Sequence, residues 1–196
     1  MVYNVLATKG IDSIFSCTES CHSKWHDFFS LQRKIYLKED YHSMTVLEKL
    51  NYLSKLTIEE YDNAGGHIRD HLVPLKNIIS VLEDSDKKQR SVFLTEKIAE
   101  EAIHQALSNK ILQLRIQRWC THSEYQMQTR MIIGYKMDHT IGYLYELKEP
   151  SEQGYLALAA KECQYLCMVI LRDSTNPQDF ILYSAYPKTE NTTLTL

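Results

Sequence analysis

The chain is poor in glycine and proline, with 6 and 4 among its 196 residues. That excludes a collagen-like repeat, and no low-complexity stretch interrupts it. Cysteine is scarce and odd in number: Cys17, Cys21, Cys120, Cys163 and Cys167. Their spacing builds no disulfide framework, so free thiols in a reducing compartment are expected. No apolar run approaches the roughly 18 residues of a membrane span, so stable membrane insertion is not expected. Residues 1–10 lack a basic stretch followed by an apolar one, so no ordinary signal peptide is expected. Asn191-Thr192-Thr193 matches a glycosylation acceptor, which carries no weight without an export signal. Positive charge is not in excess: 22 Lys and Arg face 25 Asp and Glu, a net charge of −3. This argues against promiscuous nucleic-acid binding and leaves room for an enzyme with a small basic cleft.

What is present is ordinary for a soluble globular chain, with 44% hydrophobic and 24% charged residues. The length suits one domain with a small extension. Up to about residue 118 the pattern is helical. Helical spacing of apolar residues covers 23–37 and 45–56, and in the second Val46, Leu47, Leu50, Leu53 and Leu56 make one face. Asp62-Asn63-Ala64-Gly65-Gly66 predicts a turn. A helix-like segment follows over 67–82, interrupted or initiated near Pro74, and then a solvated loop over 83–88. The clearest helix is 96–118, with Thr95 as N-cap and Glu96 in its first turn. Its apolar series runs through Ile98, Ala102, Ala106, Leu107, Ile111 and Leu114, and Trp119 closes it as a core anchor.

Four strands are expected next, over 129–136, 140–147, 163–172 and 179–186, because Tyr, Ile, Val and Leu dominate them. Met137-Asp138-His139 reads as a hairpin loop and 173–177 as a longer one. Helices followed by strands predict an α+β fold, with N-terminal helices packed on a C-terminal antiparallel sheet.

Three groups of residues could carry chemistry. In Gly65-Gly66-His67-Ile68-Arg69-Asp70-His71 two glycines present one histidine, and a second lies within a helical turn of it. Imidazole suits acid–base work near neutral pH; the plainer reading is a turn with surface histidines. In the last strand, Ser184 and Tyr186 share a face at period two. A hydroxyl beside a phenol can donate to a phosphate or an oxyanion; the plainer reading is polar residues facing water. Third, Cys17-x3-Cys21-His22-x3-His26 offers zinc ligands. Its spacing departs from the usual C-x2-C knuckle, so buried thiols and surface histidines are the simpler account, and no metal site is expected. Walker, dinucleotide, HExxH and GxSxG signatures are absent, as is a pair of acidic motifs for two-metal chemistry.

The order of the short motifs carries a resemblance. Gly65-Gly66-His67 is followed by Ser91-Val92-Phe93-Leu94-Thr95-Glu96-Lys97-Ile98-Ala99-Glu100 opening a long helix, and then by Trp119. Ile141-Gly142-Tyr143, Val169-Ile170-Leu171-Arg172-Asp173 and Ser184-Ala185-Tyr186-Pro187 complete the series. Over about residues 61–188 the chain resembles the RNase A-like C-terminal toxin domain of bacterial contact-dependent growth-inhibition proteins (CdiA).

The resemblance implies a compact α+β domain, RNase A-like or barnase-EndoU-like, that cleaves RNA without a metal or other cofactor. Position by position, His67 matches the family histidine, Tyr186 the tyrosine, and Ser184 the threonine, with its hydroxyl kept. The second histidine sits one place closer to His67 than in the family pattern. The family's basic residue therefore has three candidates here: Arg69 and His71 as catalytic groups, and Lys76 as a substrate-binding one. The implied reaction is attack of the RNA 2′-hydroxyl on phosphorus, giving a 2′,3′-cyclic phosphate. RNA is the implied substrate and DNA is not; since the domain is not basic, one RNA recognised by shape, such as a tRNA, fits. The implied partner is a cognate immunity protein. The implied location is the producing cell's cytoplasm in that complex, or the target cell's cytoplasm after delivery. An inactive RNA- or protein-binding module of the same fold is the competing expectation. Residues 1–60 lie outside the resemblance and are expected to form a helical extension, or a helical layer of the same domain as residues 61–190.

Overall fold

The computed structural model describes residues 40–83, 88–148, 157–173 and 176–190. The expected helix over 23–37, the Cys17–His26 group and Asn191 lie outside them.

Two T-x-x-E boxes start the first two helices. Thr45 Oγ1 accepts from the Glu48 N–H (3.3 Å), and Glu48 Oε2 accepts from the Thr45 N–H (2.8 Å). Helix α1 (Val46–Leu53) follows. Thr57 and Glu60 repeat the device for α2 (Ile58–Asn63). The second box explains why the helix expected over 45–56 ends at Leu53. Residues 67–82 do not form the expected helix. They make two 3-10 turns, Arg69–His71 and Leu75–Asn77, and only then a short helix, α3 (Ile78–Glu83). The segment is instead tied to its surroundings: His67 donates to the Tyr183 carbonyl (2.7 Å) and Ile68 to Asp62 Oδ1 (2.9 Å). Pro74 has no N–H to contribute.

The helix expected over 96–118 is two helices, α4 (Glu96–Ser108) and α5 (Lys110–Thr121). Asn109 leaves helical geometry (ψ 120°), and its side chain caps the N–H groups of Ile111 and Leu112. The break rotates the face. Ile111 and Leu114, expected in the core, are exposed, while Leu112, Ile116 and Trp119 are buried.

Strands number six among the described residues: β1 (Gln89–Phe93), β2 (Arg130–Lys136), β3 (Gly142–Lys148), β4 (Ala157–Cys163), β5 (Tyr165–Arg172) and β6 (Phe180–Lys188). The fold class is α+β with antiparallel pairing, as expected, but the strands form two sheets, β1-β3-β4 and β2-β5-β6. Met137–His139 is therefore not a hairpin loop; it carries the chain from one sheet to the other.

One face of the second sheet meets the helices. Leu50 and Leu53 of α1, Ala102, Ile103 and Ala106 of α4, and Ile116 and Trp119 of α5 share one apolar cluster with Met131, Ile133, Met168 and Ile170. Residues 46–58 thus form a helical layer of the same core, and no structural break falls at residue 60. The cysteines Cys120, Cys163 and Cys167 are free and buried.

A buried ion pair ties α1 to the β5–β6 connection. Lys49 Nζ lies 2.8 Å from Asp179 Oδ1 and donates to the Gln178 carbonyl at 3.0 Å. Asp179 Oδ2 also accepts from Asn176 (2.9 Å), and His42 Nδ1 lies 2.9 Å from it. Removing one partner of a buried pair strands the other charge. Lys49→Met should therefore cost about 3–5 kcal/mol in urea unfolding; a loss below about 1 kcal/mol would contradict this role.

Candidate active site

The site is built where the Gly65–His71 segment crosses β6. Between Ile170↔Leu182 and Val169↔Ser184 the pairing of β5 and β6 slips, so Tyr183 is an extra residue on β6. Such a bulge leaves a backbone group unpaired and re-aims side chains. Its carbonyl is the acceptor for the His67 N–H. The approach is close: a Cβ on Gly66 would lie 2.7 Å from the Tyr61 carbonyl oxygen and 3.1 Å from that of Leu182. Gly65 supplies the positive φ (93°) that turns the chain toward β6.

Four of the expected residues come together here. The His67 ring is exposed and meets the Tyr183 ring edge-on, with centroids 5.0 Å apart. The His71 ring stacks on Tyr186 at 5.1 Å and 28°. Beyond the bulge, burial alternates along β6, so Ser184 and Tyr186 share the face away from the helices while Ala185 and Pro187 are buried.

The two histidines sit in different surroundings. His71 Nδ1 is 2.9 Å from the Ser91 carbonyl oxygen of β1. A carbonyl only accepts, so Nδ1 carries the proton and Nε2 holds the lone pair of the neutral ring. Burial pushes the His71 pKa below its usual 6.5, the Ser91 bond opposes this, and the nearby Arg90 charge adds to it. The neutral ring is a proton acceptor at Nε2. The ring nitrogens of His67 and the Ser184 hydroxyl make no hydrogen bond to another described residue. Burial raises the Tyr186 pKa, and a hydrogen bond with Cys167 raises it further, so the phenol keeps its proton throughout the working range.

The other two expected residues are placed differently. Arg69 lies on the 3-10 turn, but its guanidinium is engaged by carboxylates, 3.6 Å from Asp62 and 4.0 Å from Glu96. Lys76 is exposed on the separate turn Leu75–Asn77, and no contact among the described residues joins it to the histidines. Two other arginines act on the residues gathered here. Arg130, opening β2, lowers the pKa of both Tyr183 and Tyr186 against the effect of their burial. Arg90 bonds the Asp70 carbonyl through Nη2 (2.5 Å) and Nε (3.2 Å), which braces the His71 turn. Neither was found from sequence. Their distance along the chain hides them, and only the strand register could have pointed to Arg130. A cavity of about 500 Å³ opens one residue past His71, lined by Leu72, Pro74, Val92, Phe93, Tyr143 and Tyr145 among others. Among the described residues no group of three or more His, Cys, Asp or Glu side chains is placed to hold a metal ion.

The antiparallel α+β frame, with two imidazoles, a hydroxyl and a phenol gathered about β6, suits a ribonuclease-type toxin domain. A protein-family model, the bacterial CdiA-CT RNAse A domain, matches residues 66–187, and the chain belongs to that family. No curated protein matches the chain. A solved structure, the CdiA-CT/CdiI complex from Y. kristensenii, is similar at 19% identity and a TM-score of 0.49, over 63% of this chain and 99% of that one.

Two measurements check the site. By ¹⁵N NMR, His71 should titrate below pH 6.5 and show the Nδ1–H tautomer. Gly66→Ala should destabilise by about 1–3 kcal/mol, since backbone rather than a flexible side chain meets the new methyl, and should alter the His71 titration with it. An unchanged titration would show that His71 does not depend on the anchored segment.

Proposed function

We propose that this domain is a metal-independent endoribonuclease toxin that cleaves RNA to a 2′,3′-cyclic phosphate. The observation that carries the reading is the neutral His71, with its Nδ1–H fixed by Ser91 and its ring stacked on Tyr186. His71 Nε2 takes the proton from the 2′-hydroxyl. The 2′-oxygen then attacks phosphorus and the bond to the 5′-oxygen breaks. His67, exposed at the other side of the bulge, gives its proton to the leaving 5′-oxygen. Ser184 and Tyr186 donate to non-bridging oxygens, where negative charge grows in the transition state. Arg130 and Arg90 supply the positive charge. The cavity beside His71 leaves room for a base, with Tyr143 and Tyr145 offering aromatic surface.

The partner in the producing cell is, on this reading, an immunity protein that covers the exposed His67 and the groups beside it. The enzyme then acts in the cytoplasm of the cell that receives it.

Incubation of the purified protein with total RNA in EDTA tests the reaction class. Cleavage leaving cyclic-phosphate ends supports the proposal; intact RNA supports a binding module that has lost turnover. His67→Ala and His71→Ala should each lose about 10²–10⁴-fold in rate with the fold retained. A base must be unprotonated to act, so kcat/KM should show an acid limb below pH 6.5, as His71 gains its proton. That acid limb should vanish in His71→Ala, and its persistence there would remove His71 as the base.

A further inference from the structure

The face of the second sheet that carries Tyr186, turned away from the helices, continues past the site. Lys136 of β2, Tyr165 of β5 and Lys188 of β6 stand directly opposite one another, in one row across three strands. Two residues back along each strand are Gly134, Cys167 and Tyr186, which form the row of the proposed active site. Side chains two apart on a strand share a face and lie about 7 Å apart. The face that presents the Tyr186 phenol therefore also presents two ammonium groups, one row further on. The slip that displaces Tyr183 lies on the other side of Tyr186, so this register is regular.

The two lysines are available for a ligand. Lys49 and Lys97 are paired with carboxylates, and Lys88 with a carbonyl. Lys136 and Lys188 make no ion pair with a described residue. Lys136 Nζ lies 6.0 Å from the centre of the Tyr165 ring, which holds it within the row.

We propose that the Lys136–Tyr165–Lys188 row is a subsite for the phosphate next to the scissile one on a single RNA strand. The proposal rests on the reading of Tyr186 and His71 as the cleavage site. Two cations one row away match the step from one backbone phosphate to its neighbour. They touch no reacting atom, so they act on binding and on the choice of cleavable length.

The test uses RNA that is 2′-O-methylated, which cannot be cut because its nucleophile is blocked. Three ligands are compared: a dinucleotide with one phosphodiester, and the same dinucleotide with an added 5′- or 3′-terminal phosphate. Lys136→Gln/Lys188→Gln should weaken one of the two-phosphate ligands several-fold and leave the one-phosphate ligand unchanged. For that ligand the dependence of log K on log salt should lessen by about 0.7, one phosphate contact's share on a single strand. The responding arm tells which side of the scissile bond the row serves. The proposal is overturned if wild type and double variant bind all three ligands alike, if the one-phosphate ligand loses as much, or if wild type binds none. Failure of the cleavage reading looks different: unmodified RNA stays intact while the charge-dependent binding persists. An unchanged affinity for every ligand would assign the lysines to a protein partner.

Discussion

Everything at the proposed site depends on one hydrogen bond, from the His67 N–H to the Tyr183 carbonyl. The bulge on β6 exposes that carbonyl, and two glycines let the chain come within reach of it. The 67–71 segment is held from other sides as well, through Ile68 to Asp62, His71 to the Ser91 carbonyl and Arg90 to the Asp70 carbonyl. The bulge lies on the edge strand of the β2-β5-β6 sheet, and such irregularities gather at edges and where side chains must be re-aimed. Here it places Tyr183 against His67, ahead of the regular Ser184–Tyr186 alternation. A second close approach supports the first. A Cβ on Gly142 would lie 2.3 Å from the Val92 carbonyl oxygen and 2.5 Å from Pro187 Cγ. Only glycine lets β1 and β6 draw together there, and β1 carries the Ser91 carbonyl that holds His71.

Chemical asymmetry follows from this geometry. Both histidines belong to one short segment, yet one is packed and the other is exposed. Burial, the Ser91 carbonyl and the Arg90 charge leave His71 as a neutral acceptor. Groups whose surroundings separate their protonation states can divide acid and base roles between them. Tyr186, with its pKa raised, adds a donor that does not ionise, and in the proposed reaction the arginines would balance the growing phosphoryl charge.

Much of the site was legible in the sequence, and less of the frame. His67 with His71, and Ser184 with Tyr186, stood out because a double glycine and a period-two strand are local signals, and the family resemblance joined the two pairs. Arg130 could not, because it reaches the site only through the pairing of β2 with β5. The tautomer of His71 was hidden for the same reason, since its partner is a backbone carbonyl 20 residues away. The strands were partly read. β4 is Ala-Leu-Ala-Ala-Lys-Glu-Cys, a run of good helix formers that pairing with β3 holds extended. The helix series through Ile111 and Leu114 failed at Asn109, where a side-chain cap restarts the helix on a rotated face.

The convergence of these groups on one phosphodiester is tested most directly by a crystal structure with a non-cleavable 2′-deoxy dinucleotide. The account predicts its phosphate within hydrogen-bonding reach of Ser184 Oγ and Tyr186 Oη, with the sugar 2′-carbon beside His71 Nε2. A phosphate seated elsewhere, with the bulge and both imidazoles vacant, would contradict it.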